Sequence, residues 1–295
     1  MTGKSAFTVF GEVLFDRFSD GYQVLGGAPF NVAWHLQALG LAPLFISRVG
    51  DDAAGEQIRQ AMQNWGMDTT GLQLDHQYPT GAVEVKLNGG EPSYEILANQ
   101  AYDFIHDDDP VLPNCRILYH GSLALRQPVS RASFSQLSSR YQGPIFLDVN
   151  LRAPWWRADD LQLWLAGADW VKLNETELQQ LHPSGKGLEQ QMQDILRAYQ
   201  LSGLIVTRGA AGASALQANG ELVCVSPAHA ISVVDCVGAG DAFSAISLLG
   251  IYHSWPLALT MHRAQDFAAS LIGQRGATPA DPGFYRRFRQ DWQIA

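Results

Sequence analysis

Residues 235–243, Asp235-Cys236-Val237-Gly238-Ala239-Gly240-Asp241-Ala242-Phe243, join a β-rich run to an apolar one. The run before them, His229 to Asp235, predicts a strand, and Ala242 to Tyr252 predicts a buried helix. Gly238, Ala239 and Gly240 therefore fall in the strand-to-helix turn. Such a turn presents free N–H groups and the positive end of the helix dipole, the setting in which phosphates bind. Asp241 contradicts that setting, because its carboxylate at ~4 Å from a bound phosphate costs about 4 kcal/mol at an effective dielectric near 20. Accepting the proton of a hydroxyl that attacks phosphorus, with magnesium offsetting charge, is a role that fits the conflict. The plain alternative is that Asp241 is an N-cap worth about 1 kcal/mol and the glycines only make a tight turn.

Outward from that turn, the 295 residues alternate short β-rich apolar runs with amphipathic helical stretches. This is the pattern of a mostly parallel sheet covered by helices on both faces, an α/β/α sandwich. Strands are predicted at Phe45 to Val49, Ile117 to His120, Ile145 to Val149, Trp170 to Leu173 and Leu204 to Thr207. A helix capped by Asp51 runs to Trp65 and stops at Gly66. No repeat, low-complexity tract or linker interrupts the alternation, so a single domain over residues 1–295 is expected. Two stretches break the rhythm. Residues 13–25 turn at Asp20-Gly21, and residues 80–100 turn at Asn88-Gly89-Gly90 with Val83, Val85 and Leu87 on one face. Both read as antiparallel excursions, either ordinary edge hairpins or a small β-sheet lid that excludes water from a reaction.

Composition removes several classes of function. A net charge of −9, with no basic run longer than Arg286-Arg287, argues against nucleic acid or an anionic membrane as partner. The three cysteines are odd in number and lack zinc spacing, and the eight histidines are scattered, which points to a reducing cytoplasm without a histidine-held metal. No export signal or run of about 18 apolar residues is present. A nicotinamide enzyme would want Gly-x-Gly-x-x-Gly after the first strand, where only Gly11 stands. A P-loop is disfavoured because Gly185-Lys186-Gly187 lacks both the hydroxyl and the earlier glycine.

Further candidates cluster at turns. Gly26-Gly27-Ala28-Pro29-Phe30-Asn31 opens a helix ending at Leu39-Gly40. Its glycines allow close approach of a ligand, and Asn31 donates and accepts at once, as sugars require. Asp16, on the first excursion, can accept from two neighbouring hydroxyls. Asn174 and Glu177 form a capping box at a helix start, or else hold waters of a magnesium ion on nucleotide phosphates. Thr207-Arg208-Gly209-Ala210-Ala211-Gly212 and Asp148-Val149-Asn150-Leu151-Arg152 end strands at the edge where open α/β sheets bind ligands, the first being equally a plain β-turn. Arg152 is suited to phosphate or substrate oxygens, or else to a helix-edge salt bridge.

Taken together, the chain resembles the PfkB (ribokinase-like) carbohydrate kinases over essentially its whole length. Gly26-Gly27-Ala28-Pro29-x-Asn31 through Leu39-Gly40 and Val49-Gly50-Asp51-Asp52 carries one half of the match, and Asp235 to Asp241 the other. The resemblance implies ATP and magnesium, with Asp241 as catalytic base and residues 238–240 as an anion hole. It implies Asn174 and Glu177 as the magnesium and phosphate element, Thr207, Gly209, Gly212 and Gln265 by the nucleotide, and Asp16, Gly26, Gly27 and Asn31 by the sugar. It also implies a monovalent cation, K+, near Asp235 and Val237, where Cys236 departs from the usual Thr. Asp148 to Arg152 followed by Trp155, with Ala101-Tyr102-Asp103, is most similar to bacterial fructokinases. Fructose phosphorylated at its 6-position is thus expected, with a homodimer through the lid. Arg17, Lys86 or Arg126 would meet an anionic group on a different acceptor, such as a keto-deoxy acid or phosphosugar; another ketose or a nucleoside is the neutral alternative, and a non-catalytic sugar-sensing protein is the other class.

Overall fold

Turn chemistry and apolar runs partition the chain into strands and helices in a computed structural model that describes residues 6–88, 91–108, 115–183, 185–227 and 233–294. Two compact units result, each discontinuous in sequence. Met1–Cys115, Ala124–Gln142 and Gly276–Ala295 compose the first, and Arg116–Leu123 with Gly143–Arg275 the second.

In the first unit, β1 (Phe7–Phe10) is apolar and wholly buried. A hairpin follows, β2 (Leu14–Phe18) and β3 (Gln23–Gly26), turning at Gly21 with φ 85°. Helix α1 (Ala28–Ala38), β4 (Leu44–Gly50), α2 (Ala53–Asn64) and β5 (Leu72–Asp75) come next, with β1, β4 and β5 paired in parallel. The second hairpin, β6 (Gly81–Asn88) and β7 (Glu91–Ile96), pairs internally antiparallel. The expected turn at Gly89-Gly90 lies outside the described residues. The two hairpins join through a parallel β2–β6 pairing into a four-stranded sheet, so that sheet is mixed rather than purely antiparallel. Helix α3 is Pro128–Arg140.

The core here is aromatic. Phe30 of α1 meets Phe45 of β4 edge-on at 5.7 Å, and Trp34 stacks on Trp65 at 4.5 Å. Such pairs add about 0.5–1.5 kcal/mol beyond their buried area. The cap of α2 is Asp52, not the expected Asp51. Asp52 has extended backbone (φ −141°, ψ 171°) and accepts from Gly55 N–H at 2.8 Å and Thr80 Oγ1–H at 2.7 Å. Extended dihedrals aim a side chain back at the first-turn amides. Asp51 instead bonds exposed His76.

The second unit holds β8 (Ile117–His120), β9 (Ile145–Asp148), β10 (Trp170–Asn174) and β11 (Gly203–Thr207), successive parallel neighbours. Antiparallel β12 (Ala213–Gln217) and β13 (Leu222–Val225) extend them. Its helices are α4 (Ala158–Ala166), α5 (Glu175–Leu181), α6 (Leu188–Ala198), α7 (Ala239–Tyr252) and α8 (Leu257–Leu271). Of the strand expected over 229–235, residues 228–232 lie outside the described set. Val233 to Asp235 are not strand, and the Val234 and Asp235 amides donate instead to the Ile272 carbonyl. The chain closes with α9 (Pro282–Trp292), back in the first unit. Among the described residues no helix is long and apolar enough to cross a membrane.

Candidate active site

Helix α7 starts three residues earlier than expected, because glycines hide a helix start from propensity. Gly238 is its N-cap with φ 80°, and Ala239, Gly240 and Asp241 form the first turn. Asp241 is therefore not the N-cap, and no side chain caps this helix. The helical ladder begins with Ala242 N–H donating to the Gly238 carbonyl at 2.8 Å; of the amides before it, Ala239 N–H makes a long turn bond of 3.4 Å to the Cys236 carbonyl. The two glycines answer to different demands. Gly238 supplies a positive φ that L side chains rarely adopt. At Gly240 an added Cβ would meet only the Lys172 ammonium, at 3.6 Å, an ordinary contact. Packing does not require glycine there, and the absent side chain leaves the turn open to a ligand.

The carboxyl ends of β9, β10 and β11 hold the other residues expected near a nucleotide. Asn174 ends β10 directly beside Thr207 of β11. Asn174 and Glu177 form the expected capping box, with Glu177 N–H donating to Asn174 Oδ1 at 2.9 Å and Asn174 N–H to Glu177 Oε2 at 2.8 Å. Glu177 Oε1 also accepts from Leu151 N–H at 2.7 Å, tying α5 to the segment after β9. Burial pushes the Glu177 carboxyl above its ordinary pKa, against the pull of those backbone donors. Each of its oxygens keeps a lone pair for water.

Thr207 is half-buried, Gly209 has φ 53°, and Gly212 has φ 89° with the Val225 carbonyl where a Cβ would go, so packing alone demands that glycine. Gln265 is buried on α8, and Arg152 is exposed in the turn after β9. Asp235 Oδ1 accepts from Val237 N–H at 3.0 Å, in a turn whose Cys236 is exposed. Among the described residues no group of three His, Cys, Asp or Glu side chains could hold a metal. The donor set suits magnesium, which keeps its waters and rides on phosphates, better than a metal caged by protein.

One cluster in this unit went unread in the sequence. Lys172 of β10 donates to both carboxylate oxygens of Asp148 on β9, each at 2.8 Å, and both residues are nearly fully buried. Ser244 of α7 donates to Asp148 Oδ2 at 2.7 Å. The available signal was a lysine inside the apolar run Trp170-Val171-Lys172-Leu173 and an acid closing the run Ile145 to Asp148 on the neighbouring strand.

In the first unit, Asp16, Gly26 and Asn31 come together. The Cβ position of Gly26 is 3.8 Å from Asp16 Oδ2 and 4.0 Å from Asn31 Oδ1, so two polar heads from β2 and α1 converge on one bare α-carbon. Gly27 is the N-cap of α1, with φ 110° and the Glu12 carbonyl 2.6 Å from where a Cβ would stand. Two of the three cations considered for an anionic acceptor are engaged elsewhere. Arg126 holds Asp103 through two bonds of 2.7 and 2.8 Å, both groups buried, and donates to the Leu97 carbonyl at 2.6 Å. Lys86 pairs with Glu95 at 2.7 Å.

The sequence matches the pfkB family carbohydrate kinases over residues 9–282, and the chain belongs to that family. It is 33% identical to a fructokinase of Klebsiella pneumoniae, covering 96% of this chain and 97% of the relative. It is 32% identical to aminoimidazole riboside kinase of Salmonella typhimurium, with 87% and 84% covered. Among solved structures, a fructokinase double mutant from Vibrio cholerae O395, in a form with fructose, ADP and potassium ion bound, aligns with a TM-score of 0.82 at 27% identity. That alignment covers 96% of this chain and 98% of the other. The fold is ribokinase-like α/β, mostly parallel strands with helices plus the small four-stranded sheet, and the protein is a carbohydrate kinase.

Proposed function

We propose that the protein transfers the γ-phosphoryl group of ATP to the 6-hydroxyl of free fructose, with Asp241 as general base. The observation that carries this reading is the entry of α7, where an uncapped first turn, an unfilled Gly240 and a carboxylate at the third position coincide. Asp241 takes the proton as the hydroxyl attacks, and the Gly238 to Gly240 amides hold charge on the transferring group. Magnesium bound with the nucleotide supplies charge neutralisation across the phosphates. Asn174 and Glu177 would meet its waters, and main-chain oxygens of Asp235 and Val237, which Cys236 leaves unaltered, suit a potassium ion. Asp16, Gly26, Gly27 and Asn31 would hold the sugar, with Arg152 on substrate or phosphate oxygens. Thr207, Gly209, Gly212 and Gln265 would border the nucleotide.

A neutral acceptor is favoured over a keto-deoxy acid or phosphosugar because Arg126 and Lys86 already have carboxylate partners, which leaves Arg17 alone of the three cations to meet an anionic group. An aminoimidazole riboside is the second reading, on the strength of the Salmonella relative. The four-stranded sheet of the two hairpins would serve as the lid and as the pairing surface of a homodimer. Cys115, Cys224 and Cys236, none of them in a disulfide, fit a reducing cytoplasm. A coupled assay over fructose, ribose, aminoimidazole riboside, keto-deoxy acids and phosphosugars, with and without potassium, tests the reading. Fructose should lead in kcat/KM by about tenfold or more. A higher ratio for any other acceptor overturns the substrate, and no transfer to any acceptor overturns the activity.

A further inference from the structure

We propose that Asp148, Lys172 and Ser244 form a buried latch that fixes the first turn of α7, which makes Lys172 and Ser244 positioning residues for phosphoryl transfer. The inference rests on the kinase reading above. Asp148 and Lys172 are register partners on β9 and β10, 2% and 5% exposed. Apolar residues of similar volume are often as stable as a buried ion pair, so stability alone is a weak reason for this one. What distinguishes it is its third member. A helical serine ordinarily bonds the carbonyl four residues back, here Gly240 O at 3.1 Å. Ser244 has a single proton, and the lysine-paired carboxylate at 2.7 Å takes it in preference to the carbonyl at 3.1 Å, since charge-assisted bonds are shorter and stronger. Ser244, one turn after Gly240, thereby ties the start of α7 to the end of β9, with the Gly240 carbonyl as its longer second contact. Tyr119 adds a longer bond to the same oxygen at 3.3 Å.

The geometry extends to the reacting residues. Ser244 lies three and four positions after Asp241 and Gly240, on the same helix face. The ammonium that neutralises Asp148 is also the nearest atom to the open side of Gly240. Height and roll of the amide turn are thus set by a carboxylate that two elements share. All these residues belong to the second unit, so loosening the latch should alter turnover and phosphate binding, with sugar binding spared.

The test compares wild type, Ser244→Ala, Lys172→Met and the double variant. Steady-state kinetics are read with fructose and magnesium-ATP, calorimetry with a non-hydrolysable ATP analogue and with adenosine, and thermal midpoints alongside. Ser244→Ala should lower kcat by about tenfold with sugar KM within about twofold, and Lys172→Met by about 100-fold, as small misplacements of reacting groups do. The double variant should be no slower than Lys172→Met, because both act through Asp148. The analogue should bind Ser244→Ala about fivefold more weakly, with adenosine unchanged. A folded Ser244→Ala with wild-type kcat, a loss confined to sugar KM, or losses that multiply in the double variant would overturn the latch. Should Lys172→Met fail to fold, Ser244→Ala decides alone. A wild type that phosphorylates nothing removes the kinase reading, and the ratio of analogue to adenosine affinity then still decides the latch.

Discussion

Helices α1 and α7 are entered in the same way and do different things with the entry. Each begins on a positive-φ glycine, Gly27 at 110° and Gly238 at 80°, and neither carries a side-chain cap, whereas α2, α5 and α9 are capped by Asp52, Asn174 and Asp281. The first turn of α1 is neutral, with Pro29 and Asn31, and that of α7 contains Asp241. The glycines differ more. Gly27 is jammed against the Glu12 carbonyl, so packing dictates it, but Gly240 faces only the end of a lysine. An uncapped helix start whose own first turn is neutral, with Asp16 reaching in from β2, suits hydroxyl recognition. One with spare volume and a carboxylate suits transfer of an anionic group, and only the second is at odds with a purely structural explanation.

That contrast can be broken in four ways. Asp241→Asn should lower kcat by about 100-fold or more, with sugar affinity little changed, and near-normal turnover would return α7 to the status of α1. Gly27→Ala should lose about 2 kcal/mol or more of stability in denaturant titration, through strain at positive φ and the clash with Glu12. Gly240→Ala should reverse that pattern. Its thermal midpoint should stay within about 2 °C or rise, since alanine is the better helix former, while kcat/KM for ATP falls about tenfold. Matching losses of stability in the two glycine variants would erase the distinction.

The fourth concerns what the units share. Among the described residues each buries one neutral histidine, His35 in α1 with its pKa pushed down to about 3 by burial, and His120 in β8 to about 4 by burial, partly opposed by a bond to Gly121 O. Both folded values lie below the ordinary 6.5, so the unfolded chain takes up protons first as pH falls through that value. Stability should therefore drop from pH 6.5 down to about 4, by up to about 1.4 kcal/mol per pH unit for each histidine. Urea midpoints of His120→Gln against wild type across that range measure one share. A pH-independent midpoint would count against both.

Locally encoded features were legible in the sequence. The parallel strands, the Asn174/Glu177 box and both hairpins depend on neighbours a few residues apart. What escaped was long-range or masked by composition. Nothing in either hairpin announces that β2 lies parallel to β6, more than sixty positions on. Strand β12, Ala-Ser-Ala-Leu-Gln, lacks β-branched residues and is held in place by its partners. Asp51 and Asp52 are equivalent as letters, and only backbone dihedrals choose between them. Lys172 and Asp148 are 24 positions apart and meet only because β9 and β10 are adjacent. The motif that holds Asp241 and Gly240 was readable, but the buried Asp148, Lys172 and Ser244 cluster beside it was not.

Tyr285 of α9 bonds His35 of α1 at 3.0 Å across 250 positions, and Trp34 Nε1 donates to the Pro279 carbonyl at 3.1 Å. A ribosome delivers those partners hundreds of residues after α1 has emerged. Vectorial synthesis can therefore finish the second unit before the first, and the earliest-made aromatic surface has to wait, shielded by chaperones or by partial collapse, until Gly276–Ala295 arrives. A premature stop that removes only α9 would strand the opposite end of the polypeptide.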